Sequence, residues 1–190
     1  MNFLGMNLAD MNLLTFSMLL PLLGTAALAF VPKTNILLTK QVALATTILV
    51  ALVGVLMVAE FDFGKSGFQF VESRPWIPAF GINYALGVDG IALVLILMSV
   101  LLTPIVVVAG WHESEGGRWS TKTFYSLILV LETMMIGVFA STDVFLFYVF
   151  FEAMLVPVYF LIGGYGSGER AAAAVKFLLY SLFGGLLMLA

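Results

Sequence analysis

The chain has 190 residues and a formal net charge of -3 at pH 7; 62% of its residues are hydrophobic and only 10% are charged. An ordinary soluble domain is about 45–50% apolar and about 25% charged, so this composition favours a polytopic membrane protein. The chain has no Cys and one His, which excludes disulfides, Fe–S clusters, thiolate metal sites and a bis-histidine haem held by this chain alone.

Six apolar segments are long enough to cross a hydrocarbon core of about 30 Å as α-helices, which takes about 20 residues each. They predict an all-α membrane protein with spans at residues 13–31, 41–59, 90–110, 123–140, 144–163 and 171–190. No Lys or Arg precedes Lys33, so the first span lacks the basic region of a signal peptide and we expect it to be retained. Because Ala190 lies within an apolar run, residues 1–190 are interpreted as the N-terminal part of one transmembrane domain whose remainder is missing.

The basic residues around the predicted spans are distributed unequally between the two sides of the membrane. One side receives six of them and the other side two, namely Lys33, Lys40, Arg118, Lys122, Arg170 and Lys176 against Lys65 and Arg74. Since the basic side of a membrane protein faces the cytoplasm, we expect the N-terminus and the long 60–89 loop to lie outside. A chance distribution of so few charges is the alternative explanation.

Two carboxyls lie near the middle of neighbouring predicted spans. Glu152 is the only charged residue of segment 144–163, and Glu132 lies in segment 123–140. A charge at mid-membrane costs roughly 2.5–3.5 kcal/mol on insertion scales, and such residues commonly serve proton relays, ion pathways or ligand binding. The short turn at 141–143 predicts adjacent antiparallel helices with both carboxyls at similar depth. A protonated carboxyl held in a static core is the structural alternative for each.

Lys176 lies five residues inside the sixth predicted span, and the sequence leaves its role open. It can snorkel to the cytoplasmic interface, or it can face inward and join a water-bridged proton relay with Glu152, whose depth differs by about 9 Å. Asp89 directly precedes the third span and is expected to cap that helix. The candidate residues for proton translocation are therefore Glu152, Glu132 and Lys176, and we expect no cofactor or metal in this chain.

Two stretches resemble a known family. Residues 86–93, Leu-Gly-Val-Asp-Gly-Ile-Ala-Leu, are similar to the G-V-D-G-I-S-L segment of the antiporter-like subunits of respiratory complex I and of Mrp-type cation/proton antiporters, with Ala92 where the family often has Ser. Residues 150–163, FFEAMLVPVYFLIG, resemble the F-W-E-x-M-L-I-P-M-Y-F-L-I-G segment of subunit M, or chain 4, of proton-translocating NADH:quinone oxidoreductase. Shorter matches at 76–78 and 175–180 extend the resemblance over essentially the whole chain.

The resemblance implies the first six of about fourteen spans of an antiporter-like inverted-repeat fold. It also implies a membrane-arm subunit that couples electron transfer from NADH to quinone to proton pumping, with Glu152 paired to a lysine of a seventh span beyond this chain. NADH, FMN, Fe–S clusters and quinone are then expected in partner subunits. The expected partners are other membrane-arm subunits and the lipid bilayer, with no nucleic acid and no small substrate other than protons.

The expected location is the bacterial plasma membrane, or the inner mitochondrial membrane if the chain is organellar. One alternative is a subunit of a multisubunit sodium/proton antiporter of the Mrp type, which has the same fold; the residues that follow Glu152 argue against it. Another is a scaffold subunit without a transport role, in which Glu152 would be dispensable.

Overall fold

The computed structural model describes residues 2–3, 6–7, 12–32, 34–112 and 119–189. Within these ranges six helices are long and apolar enough to cross a membrane, which confirms the predicted all-α membrane class. They are α1 (Leu13–Phe30), α2 (Ile36–Glu60), α3 (Gly90–Ala109), α4 (Thr121–Ala140), α5 (Val144–Tyr165) and α6 (Arg170–Leu189). Lys33 and Arg118, two of the bases in the charge count, lie outside the described residues.

Polar side chains set where four of these helices begin. Asn35, Asp89, Ser120 and Asp143 each accept a hydrogen bond from a backbone N–H in the first turn of the helix that follows. Such bonds satisfy amides that have no partner within the helix. The predicted cap is confirmed, since Asp89 Oδ1 accepts from the Ala92 N–H at 2.8 Å. The second span was predicted to begin too late: the cap at Asn35 starts α2 at Ile36, so Lys40 lies inside the helix.

Helix α4 is central to the bundle because it packs against α1, α2, α3 and α5, whereas α6 packs on α5. Glycines allow two of the helix crossings to be close. A Cβ at Gly54 of α2 would lie 2.7 Å from the Val100 side chain of α3, and a Cβ at Gly137 of α4 would lie 2.7 Å from the Phe150 ring of α5. Small residues at such crossings bring helices together by van der Waals packing where the surrounding lipid offers no hydrophobic drive.

The core of the bundle consists of two clusters of buried apolar side chains, one near each end of the helices. The larger cluster includes Leu14, Met18, Val50, Met57, Leu86, Val88, Ile96 and Ile136. The smaller cluster includes Leu28, Ala43, Val107, Tyr125, Ile128 and Leu129. Most of these residues belong to α1–α4, so the first four helices provide most of the buried apolar surface.

A β-hairpin stands where the sequence predicted only a long loop. Strand β3 (Gln69–Ile77) pairs antiparallel with β4 (Ile82–Val88), after two short paired strands, β1 (Asn2–Phe3) and β2 (Met6–Asn7), at the beginning of the chain. A 3₁₀ turn at Pro78–Phe80 and Gly81, with φ at +68°, connect β3 to β4. Glycine adopts this left-handed conformation without the Cβ clash of other residues. The all-α prediction therefore omitted one antiparallel element.

The hairpin is joined to the beginning of α1 by Glu72 of β3. Its Oε1 accepts from the Leu14 N–H at 2.9 Å and the Thr15 N–H at 3.2 Å, and the Thr15 hydroxyl donates to Oε2. The local cap residue Asn12 makes no side-chain cap bond. A carboxylate at this end of a helix both satisfies free amides and interacts favourably with the helix dipole. Glu72 thus caps a helix that begins 59 residues before it.

The same hairpin also holds the turn between α4 and α5. Asp143 Oδ1 accepts from the Phe145 and Leu146 N–H groups, and its Oδ2 accepts from the Asn83 N–H of β4 at 3.2 Å. The Thr142 N–H donates to the Ala85 carbonyl oxygen at 2.9 Å. One hairpin therefore ties together the ends of α1, α3, α4 and α5 on its side of the bundle.

At the opposite end of the bundle, two bases make specific structural contacts. Lys122 Nζ donates to the carbonyl oxygens of Ala29, at 2.7 Å, and Val31, at 3.0 Å, which are the final acceptors of α1. A cation at a helix C-terminus complements the dipole. Lys40 is only 3% exposed, and its Nζ lies 5.2 Å from the Trp111 ring centroid, a cation–π geometry.

Candidate functional site

Two features position Glu152: the cap that fixes the start of α5, and a glycine of α6 that leaves room for the carboxyl. It lies eight residues after Val144, about 12 Å from the start of the helix. Its side chain is half-buried, and Oε1 is buried without a hydrogen-bond partner among the described residues. The carboxyl rests against Gly185 of α6, where a Cβ would overlap with Oε1. The Tyr148 side chain, one turn earlier on the same face, interacts with this carboxyl.

Glu132 occupies a different environment in α4. Its side chain is 1% exposed, and neither carboxyl oxygen has a hydrogen-bond partner in the described part of the chain. It lines a cleft between α3 and α4 together with Ser99 and Thr103. Both hydroxyls donate to backbone carbonyls, Ser99 to Leu95 at 2.8 Å and Thr103 to Ser99 at 2.9 Å. Both hydroxyls thus bond mainly to the backbone, and the Thr103 side chain also interacts with the Glu132 carboxyl.

The two carboxyls lie at equal distances from the α4–α5 turn but face in different directions. Glu132 lies eight residues before Ala140 and Glu152 eight residues after Val144, so both are about 12 Å from the turn. The packing of α4 against α5 agrees with the expected adjacency of the two helices. Phe150, which meets α4, precedes Glu152 by two residues, or about 200° around the helix. Glu152 therefore points away from α4 and toward α6.

Lys176 is not brought close to Glu152 by the described helices. It is exposed, and it precedes Gly185 by nine residues. This places it about 13 Å from Gly185 toward the start of α6 and on the opposite side of that helix. The side of α6 that meets α5 contains Gly185 and the buried Ala174, which faces Gly163. Of the three candidate residues, Glu132 is buried, Glu152 is half-buried with one buried carboxyl oxygen, and Lys176 is exposed.

The charged residues that sequence reasoning missed lie at helix ends rather than at mid-depth. Glu72 lies in the predicted 60–89 loop and has no role in the sequence interpretation, and Lys122 and Lys40 appear there only in the charge distribution, yet each makes a defined contact. The sequence signal for Glu72 is weak: α1 has no acidic residue in its first turn, but Asn12 stands at the cap position, and only the structure shows that Asn12 makes no cap bond. Among the described residues no group of three or more His, Cys, Asp or Glu side chains could hold a metal ion.

Comparison with known proteins gives consistent results. Residues 141–190 match the family model described as "NADH:quinone oxidoreductase/Mrp antiporter, TM". The chain is 42% identical over 199 residues to NADH-quinone oxidoreductase subunit M of Mycobacterium tuberculosis, which covers 90% of this chain and 36% of that protein. It is 40% identical over 172 residues to NADH-ubiquinone oxidoreductase chain 4 of Arabidopsis thaliana, covering 90% and 34%.

A solved structure of respiratory complex I from Thermus thermophilus with bound NADH contains a similar chain. The TM-score is 0.76 at 28% sequence identity, over 94% of this chain and 34% of that one. The chain described here thus spans about a third of the length of the curated relatives that it matches. As the resemblance at residues 150–163 predicted, it belongs to the family of antiporter-like membrane subunits that includes subunit M and chain 4 of NADH:quinone oxidoreductases.

Proposed function

We propose that this chain is part of a proton-translocating membrane-arm subunit of NADH:quinone oxidoreductase. The observation that carries the proposal is Glu152, the only charged residue in a 22-residue apolar helix, with one carboxyl oxygen buried and without a partner among the described residues. Relatives at about 40% identity carry the names subunit M and chain 4. These names favour the oxidoreductase over a stand-alone Mrp-type antiporter, and copurification of flavin and Fe–S subunits would separate the two.

In the proposed mechanism, Glu152 is a carboxyl that alternates between the charged and the neutral form. While a cation lies beside it, the carboxylate is stabilised; when the cation moves away, the cost of a buried charge favours uptake of a proton. The family resemblance assigns the cation to a lysine beyond this chain. Glu132 and Lys176 are proposed as secondary groups of the proton path. NADH oxidation and quinone reduction, with FMN and Fe–S clusters, belong to partner subunits.

The proposal is tested by Glu152→Gln in the full-length protein within its assembled complex. Glutamine keeps the size of the side chain and its hydrogen bonding but cannot ionise, so NADH-driven proton uptake by inverted vesicles should fall at least about tenfold. The matched control is Glu132→Gln, the same substitution at the same depth, which should reduce uptake less. Uptake at the unmodified rate in an assembled Glu152→Gln complex would show that the carboxyl is only structural.

We further propose that the N-terminus and the hairpin face the outside, in the bacterial plasma membrane or, for an organellar chain, the inner mitochondrial membrane. The support is the excess of bases at the opposite end of the bundle. Single cysteines at the exposed Ser66 and Ser167 would report sidedness, because the chain has no Cys of its own. An impermeant thiol reagent added to intact cells should label Ser66→Cys and spare Ser167→Cys. The reverse pattern would overturn the orientation.

A further inference from the structure

Glu132 is an acidic residue enclosed within the helix bundle. Its side chain is 1% exposed, and both carboxyl oxygens are buried without a hydrogen-bond partner among the described residues. An ionised carboxylate has two acceptor oxygens and no donor. Burying it without partners is so unfavourable that such a group usually takes up a proton instead. The groups around Glu132 therefore decide which form of the carboxyl the bundle can hold.

No basic side chain in the described ranges is placed to compensate a negative charge on Glu132. Helix α4 packs against α1, α2, α3 and α5, and α1, α3 and α5 contain no Lys, Arg or His. Lys40, the one base of α2, lies beside the Trp111 ring near one end of the bundle. Lys122, near the start of α4, donates to the last carbonyls of α1. An ionised Glu132 would thus be buried without a counter-ion.

The polar group of α3 that meets Glu132 is Thr103, and it presents an acceptor. Its side chain interacts with the Glu132 carboxyl, but its hydroxyl proton is donated to the Ser99 carbonyl oxygen at 2.9 Å. A hydroxyl has one proton and two lone pairs, so Thr103 Oγ1 offers the carboxyl only lone pairs. Two acceptor oxygens form a hydrogen bond only when one of them carries a proton. Here the carboxyl is the group that can carry it.

We propose that Glu132 is held in the bundle as a neutral carboxylic acid whose O–H donates to Thr103 Oγ1. This hydrogen bond connects α4 to α3 within the membrane, and it gives the buried side chain a partner without requiring a counter-ion. A role of Glu132 in the proton path would begin from this neutral form. The inference does not rest on the proposed role of Glu152, because it concerns the protonation of a different carboxyl.

The test compares infrared spectra of the unmodified full-length protein, in its assembled complex near neutral pH, with those of the Glu132→Gln complex. A protonated carboxyl has a carbonyl stretching band that is separate from the bands of carboxylates and amides. The difference spectrum should show the loss of one such band, because glutamine has no acid group. If Glu132→Gln does not assemble, Glu132→Asp takes its place and should move the same band. Loss of carboxylate bands, with no change in the acid region, would show that Glu132 is ionised and that the proposal is wrong.

Thr103→Val tests the proposed partner of the acid. Valine keeps the size of the side chain but has no oxygen, so the acid band should move toward the frequency of an unbonded carboxyl. Thr103→Ser retains the hydroxyl and should leave the band in place. The matched control is Thr47→Val, at a buried threonine of α2 whose hydroxyl donates to the Leu44 carbonyl oxygen at 3.0 Å. The proposal fails if Thr103→Val leaves the acid band unchanged, or if Thr47→Val moves it equally.

Discussion

The first four helices and the last two differ in how much of their surface the chain itself covers. Between 33% and 44% of the residues in the apolar windows of α1–α4 are buried, compared with 17% in α5 and 11% in α6. Helix α4 alone packs against four neighbours, whereas α6 packs mainly on α5. The chain thus combines a well-packed four-helix unit, closed on one side by the hairpin, with a sparsely covered pair.

This difference separates the two membrane carboxyls. Glu132 belongs to the well-packed unit and is enclosed by its own chain, while Glu152 belongs to the sparsely covered pair and rests on the bare backbone at Gly185. Equal depth therefore does not give equal surroundings. The neighbour that a membrane carboxyl contacts depends on the side of the helix from which it projects. Two positions along a helix differ by about 200° in direction, which is enough to change the neighbouring helix.

The largest effect on proton uptake is expected in the sparsely covered pair, where Glu152 occupies space that is free because residue 185 is a glycine. Gly185→Ala places a methyl group against Glu152 Oε1, whereas a Cβ at Gly184 would meet nothing within 4 Å. Displacing the carboxyl should lower NADH-driven proton uptake roughly tenfold or more. The adjacent Gly184→Ala should leave it nearly unchanged. Equal rates of proton uptake in the assembled Gly185→Ala and Gly184→Ala complexes would contradict the idea that the space at Gly185 positions Glu152.

A smaller effect is expected in the well-packed unit, on stability and not on transport. Glu72→Ala removes the acceptor of the Leu14 and Thr15 N–H groups. The free energy of unfolding should fall by about 1–2 kcal/mol, the usual range for a lost cap at a helix N-terminus. Denaturant unfolding of the purified protein in detergent would measure it. Ser66→Ala, at an exposed loop position, serves as the control and should change little.

The smallest effect concerns Asp143, at the junction of the two regions. Hydrogen bonds from the Leu146 and Asn83 N–H groups lower the pKa of this partly exposed carboxyl below its usual range. Its ionised form therefore stabilises the fold at neutral pH, and this contribution disappears as the pH falls below about 4. Asp143→Asn should be slightly less stable near pH 7, because Asn caps α5 but cannot accept from Asn83 with its amide nitrogen.

The pH dependence provides the check for Asp143. The stability difference between the unmodified protein and Asp143→Asn should shrink as the pH is lowered and vanish below the lowered pKa. A difference that stays constant from pH 7 to about pH 3 would mean that charge plays no part in the cap.

Much of the bundle could be predicted because helices that cross lipid must satisfy their backbone internally, which requires long apolar runs. The cap at Asp89 could be predicted as well, because Asp89 lies directly before the helix that it caps. The hairpin is harder to predict, because Pro75 lies within its first strand and Pro78 follows that strand directly, and a Pro within a run argues against a regular strand. Long-range contacts such as Glu72 with Leu14, and the direction in which Glu132 and Glu152 face, depend on how the helices pack.

The side-chain contacts at both ends of helix α1 come from residues much later in the chain. Its first amides bind Glu72 and its last carbonyls bind Lys122, so its two ends are secured by residues made well after the helix itself. At roughly 5–20 residues per second, the ribosome needs about 5–20 s to proceed from residue 12 to residue 122. Glu72 is made before Lys122, so the contacts at the first turn of α1 can form before those at its end, and both sets can be in place only once the hairpin and α4 exist.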